Sequence, residues 1–161
     1  MITIESKVYR EHRYDSSISS NTSRTKELRN VPIIILKTNR IFSERIRSSI
    51  AKGLSQITET ILRKNKEVIV MRFEATEQQE QWYLSGSLLK DDEAIFELSI
   101  IVTKGTNTDK EKAEWIAEAW KLITEFFGNV PGPNYISIQE IDGNSWGYNG
   151  LSQKQRKIQL K

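Results

Sequence analysis

The chain has 161 residues, 37% hydrophobic and 28% charged, which is enough for one core of ordinary globular composition or two very small domains. It has no cysteine and a single histidine, His12, which excludes a disulfide scaffold, a thiol nucleophile, thiolate metal sites and a multi-histidine zinc centre. The net charge of +3 is spread among interleaved acids and is no nucleic-acid footprint, and no apolar run approaches the roughly 18 residues a membrane helix needs.

Residues 1–31 are rich in Ser, Thr and charge and have no sustained apolar period, the pattern of a loosely packed extension. Glu5, Glu11, Asp15 and Glu27 argue against a transit peptide. From Val31 the pattern sharpens. Pro32–Lys37 reads as a buried strand by its run of Ile and Leu. Ser43 is a candidate N-cap for a helix whose apolar face is Ile46, Ile50, Leu54, Ile57 and Ile61. That helix gives out in the polar turn around Lys64–Lys66, and Val68–Glu74 alternates as a second strand. The polar stretch TEQQEQ then leads to WYLSG.

The order repeats. Ala94–Thr103 is a strand, and Thr108 with Glu111 forms a capping-box pattern. Ile116, Ala119, Trp120, Ile123 and Phe127 supply the apolar face of the helix that follows, with Gly128 to stop it. Tyr135–Ile141 is a further strand, and after DGNS comes WGYNG, as WYLSG came earlier. Trp82 and Trp146 are 64 residues apart, and so are Gly86 and Gly150. The chain is therefore an internal duplication of a β-α-β-hairpin unit, unit one over 32–93 and unit two over 94–161. The fold class is α+β: two tandem β-α-β units forming a four-stranded mixed sheet with two helices on one face. The other sheet face reads apolar at Ile33, Ile35, Ile100 and Val102, and a further copy of the chain is its simplest cover. The turn K-G-T-N at 104–107 lacks the G-K-[ST] of a phosphate loop. The tail QKQRKIQLK carries four positive charges and no acid, and reads as solvated or oligomer-wrapping.

Three stretches in this order and spacing, PIIIL, VTKGTNTDKEKA and IQEIDGNSWGYNGL, resemble the tautomerase superfamily, the group of 4-oxalocrotonate tautomerase. The resemblance covers about Val31 to Arg156 and is greatest to fused members that join two units in one chain. It implies a homotrimer with no cofactor and no metal, in the cytoplasm, without nucleic acid or membrane partners. The implied activity is keto-enol isomerisation of a small 2-oxo or enol carboxylic acid by an amino-terminal proline, which takes a proton alpha to a carbonyl and returns it elsewhere. By position, Pro32 is the catalytic proline, and Arg72, Asn107, Tyr135, Trp82 and Trp146 are candidate substrate-binding residues, the two tryptophans at the hairpin aromatic position. The sequence departs from the family in two ways. Pro32 follows Val31, so its nitrogen is a tertiary amide and no base. The family's arginine positions hold other residues, with Arg40 as a substitute in the first strand-to-helix turn and none in the second. The alternative is a non-catalytic oligomeric member with a blocked proline. Glu74 and Glu140 recur at equivalent places, as copied structural acids do.

Overall fold

A computed structural model describes residues 31–75 and 82–159. The extension expected over 1–31 therefore lies, but for Val31, outside the described residues, as does the TEQQEQ stretch.

The elements follow the duplication. Unit one has β1 (Ile33–Thr38), α1 (Glu44–Thr60), a 3-10 turn (Lys66–Val68), β2 (Val70–Ala75) and the short strands β3 (Tyr83–Leu84) and β4 (Ser87–Leu88). Unit two has β5 (Phe96–Thr103), α2 (Asp109–Phe127), β6 (Tyr135–Ile141), β7 (Gly147–Tyr148), β8 (Leu151–Ser152) and α3 (Gln153–Gln159). The main sheet has the order β2-β1-β5-β6. Each unit contributes a parallel pair, and the two units meet antiparallel at β1 and β5. This is the expected α+β fold, a mixed four-stranded sheet with α1 and α2 on one face, plus a short third helix within the basic tail.

The helices begin where the capping residues stand. Ser43 Oγ accepts the Ile46 amide, and Thr108 with Glu111 closes a full capping box at the start of α2. Period-two alternation sorts the strands. Ile34, Leu36 and Thr38 of β1 are buried under the helices, against Ile100, Leu98 and Phe96 of β5. Ile50 and Leu54 of α1 and Ala119 and Ile123 of α2 close the same core. At roughly 1.5–3 kcal/mol for each large apolar side chain fully buried, this layer is the main source of stability. Phe127 sits 4.9 Å from Phe42 and 5.0 Å from Phe96, ring centre to ring centre, and seals one end of the layer.

Two expectations need correcting. The buried tryptophan of α2 is Trp115, whereas Ile116 and Trp120 lie on the flank of the helix, more than a third exposed. The period of 3.6 allows either choice, and the Trp115 indole is drawn inward because its N–H finds Thr58 Oγ1 on α1 at 3.0 Å. On the sheet, Ile100 and Val102 face the helices. The outer face has Ile101 instead, beside Ile33 and Val70, followed by the polar rows Arg72–Ile35–Ser99–Ser137 and Glu74–Lys37–Glu97–Tyr135. The unbroken apolar run of β5 hid which alternate residues point inward. Boundaries move slightly: β2 starts at Val70 after the 3-10 turn, and β5 starts at Phe96.

Both hairpins turn on a pair of left-handed residues, Ser85–Gly86 and Asn149–Gly150, which is the turn geometry that matches strand twist. Leu84 of the first hairpin packs on Gly132, ahead of β6. Trp146, before the second, donates to Thr103 Oγ1 at the end of β5. The repeated hairpins thus cap opposite ends of the sheet.

Candidate functional site

Pro32 is buried at the head of β1, with Val31 before it only 7% exposed. Its carbonyl accepts the Val70 amide at 3.4 Å, which ties it to the start of β2. Its nitrogen is acylated by Val31 and has neither a proton nor a basic lone pair. Because β1 runs against β5 and beside β2, Pro32 shares its sheet end with the finish of β5 and β6.

Asn107 and Trp146 come to this same end. Asn107 Nδ2 donates to the Leu62 carbonyl at 3.0 Å, which holds the β5–α2 turn against the close of α1, and to Glu111 in the first turn of α2 at 3.3 Å. Trp146 is half-buried and fixed by Thr103. The other sequence-derived candidates are not gathered here. Arg72 lies exposed on the outer sheet face and pairs with Glu74. Tyr135 heads β6 at the far end of the sheet, opposite Glu97 and 67% exposed. Trp82, half-buried, precedes the first hairpin, at the far end. Arg40, the substitute arginine, has its guanidinium on the carbonyls of Asp91 and Asp92. Glu140 and Glu74 have different partners: Glu140 pairs with Lys112 at 3.0 Å and accepts the Gly105 amide.

A cavity of about 640 Å³ opens beside the β5–α2 turn, walled by the close of α1, by Thr103–Thr106, and by the stretches flanking the second hairpin. Its walls carry Arg63, Lys64, Lys104, Lys154 and Lys157 against one acid, Asp142. Arg63 adopts a left-handed backbone at φ 53°, and the Lys64 amide returns to the Thr58 carbonyl. The reversal sends Lys64 inward to 4% exposure, where its ammonium donates to Thr106 Oγ1 at 2.8 Å. Burial lowers the Lys64 pKa from 10.5 to about 8; the Arg63 charge pushes the same way and Glu140 opposes. Glu140 is held below the usual carboxylate range, first by the Lys112 hydrogen bond and then by the Gly105 amide. Lys112 is raised in turn by Glu140 and Asp109.

Lys64 and Gln153 escape a reading of the sequence. Lys64 stands in the run RKNK, where nothing marks one lysine as buried. Gln153 belongs to the tail read as solvated or oligomer-wrapping, yet it is 6% exposed within the single chain. Among the described residues, no group of three or more His, Cys, Asp or Glu is placed to hold a metal, and no helix is long and apolar enough to cross a membrane.

The architecture has relatives among solved structures. A fused 4-OT that forms an asymmetric trimer matches with a TM-score of 0.64 at 19% identity, over 76% of this chain and 96% of its own. The macrophage migration inhibitory factor-like protein of Entamoeba histolytica matches at 0.61 and 16% identity, over 75% and 97%. N1, a member of the cis-3-chloroacrylic acid dehalogenase family, matches at 0.64 and 12% identity, over 74% and 82%. No family model matches the chain, and no curated protein matches it in sequence. The chain has the fold of these structures, with two β-α-β units in one polypeptide.

Proposed function

We propose that the protein is a cytoplasmic homotrimer and a keto-enol isomerase for a small 2-oxo or enol carboxylic acid, active once the Val31–Pro32 bond is cut. One observation carries this reading: Pro32 heads the buried β1 at the sheet end where the β5–α2 turn brings a cation-lined cavity. A freed Pro32 would be a secondary amine. Burial and neighbouring cations disfavour its charged form, so a neutral base is available near pH 7. It takes the proton alpha to the substrate carbonyl and delivers it to the enolate oxygen, so that C–H and C=O become C=C and O–H; from an enol substrate it takes the O–H proton and delivers it to carbon, with no cofactor. Positive groups at this end favour an acid as substrate and stabilise the developing enolate. Trimer assembly is proposed from the trimeric fused 4-OT of like fold.

The second reading is a non-catalytic, oligomeric tautomerase-fold protein with a blocked proline. It is favoured by the engagement of the candidate polar residues in structural bonds, Asn107 with Leu62 and Glu111, Arg72 with Glu74. Activity toward phenylenolpyruvate separates the two when the full chain is compared with a chain beginning at Pro32. Activity confined to the shortened chain supports the first reading; its absence from both overturns that reading in favour of the second. Amino-terminal sequencing of the native protein establishes whether the cut is made.

A further inference from the structure

The cavity beside the β5–α2 turn has two polar groups whose needs the chain itself leaves unmet. Lys64 is 4% exposed, yet its ammonium has no carboxylate within ion-pair distance among the described residues, and its one hydrogen bond goes to the neutral Thr106 hydroxyl. An ammonium can donate three. Gln153, which also lines the cavity, is 6% exposed, and its Nε2 is buried without any hydrogen-bond partner. Groups of both kinds are costly in a folded interior unless something completes them. They sit on elements remote in sequence, the close of α1 and the start of α3; both need an acceptor, and the Lys64 charge makes an anionic one the best match.

The rim agrees. Lys104, Lys154 and Lys157 have no ion pair among the described residues. The acids nearby are already engaged. Asp142 Oδ1 accepts the amide and side chain of Asn144, Glu140 is held by Lys112 and Gly105, and Glu111 takes Arg63. That last pairing neutralises the Arg63 charge at the wall, and the cations left unpaired are point-charge ammonium groups. Forked guanidinium suits planar carboxylates, whereas lysines bind the more symmetric phosphate well. The volume of about 640 Å³ exceeds what a bare phosphate needs and falls in the range of small-molecule sites.

We infer that this cavity binds a small phosphate-bearing anion, with Lys64 and Gln153 as its inner donors and Lys104, Lys154 and Lys157 as its rim. The device is no phosphate loop, since the Gly105 amide is spent on Glu140. The inference goes beyond the proposed isomerase, because it needs no free amine at Pro32 and holds for the uncut chain.

Calorimetric titration of the full chain with inorganic phosphate, and separately with malonate at matched ionic strength, tests it. The expected result is saturable phosphate binding, one per chain, with malonate at least tenfold weaker. Lys64→Met and Gln153→Leu should each weaken phosphate at least tenfold, while Lys110→Met, at an exposed site on α2, should leave it unchanged. Circular dichroism confirms that each variant is folded, and Gln153→Leu carries the test if Lys64→Met is not. Phosphate binding undiminished in the folded variants overturns the site, and malonate binding as tight as phosphate overturns the ligand class.

Discussion

The indole of Trp115 donates to Thr58 Oγ1 at 3.0 Å, and neither side chain has any exposure. The bond joins the two long helices, one from each unit, at the centre of their shared layer. Thr58→Val keeps the shape and removes the acceptor, leaving a buried N–H unmet. Urea unfolding should show a loss of about 1–3 kcal/mol, and Thr58→Ser should recover most of it.

Lys64 makes stability depend on alkaline pH. Its folded pKa of about 8 lies below the usual 10.5, so between these values the unfolded chain binds the extra proton. Below pH 8 both states are charged and the full burial penalty is present; it fades as pH rises and is gone above 10.5. A shift of this size at about 1.4 kcal/mol per unit is about 3 kcal/mol. The difference in unfolding free energy between Lys64→Met and the parent should therefore favour the variant at pH 7 and shrink steadily from pH 8 to 10.5. A difference that is flat over that window would contradict the assignment.

Glu140 counters part of that penalty, since its charge raises the Lys64 pKa. Glu140→Gln removes the support. The same difference curve, measured in the Glu140→Gln background, should begin to shrink at lower pH. Lys112 loses its principal partner in the same variant, and its own pKa should fall toward the ordinary lysine value.

The second hairpin offers a contrast between two glycines three residues apart. A Cβ on Gly147 would meet the Leu151 carbonyl at 2.1 Å and the Ser152 Cα at 2.6 Å, both backbone atoms that cannot step aside. At Gly150, φ is 79° with open space around it, so an alanine there meets only the left-handed penalty. Gly150→Ala should cost about 1 kcal/mol. Gly147→Ala should cost more and free the Trp146 ring, which is readable as a shift in its fluorescence while the far hairpin is unaltered.

Local rules explain what a reading of the sequence reaches here. β6 runs over Tyr135–Ile141 as its alternation requires, the capping box at Thr108 and Glu111 closes as its spacing requires, and both hairpins sit 64 residues apart as the repeat requires. Each of these is decided within a few residues or by the repeat. The inward turn of Trp115 depends on Thr58, 57 positions away, and the burial of Lys64 depends on a left-handed Arg63 that no glycine announces. The inner groups of the cavity thus come from tertiary geometry, and their residue types alone resemble solvated surface.

The antiparallel meeting of β1 and β5 relates the two units by an approximate twofold, so each end of the sheet pairs the head of one unit with the first turn of the other. The two ends differ. At one, Asn39 bonds Glu93 and Ile95, Thr38 bonds the Ile95 carbonyl, and Arg40 bonds Asp91 and Asp92, which laces the turn to the chain running into β5. At the other lies the open, lysine-walled cavity. Of two ends that the repeat makes equivalent, one is laced shut by the segment that joins the units and the other stays open. Occupancy should accordingly be counted once per polypeptide, so that an assembly of three chains would present three working mouths and not six.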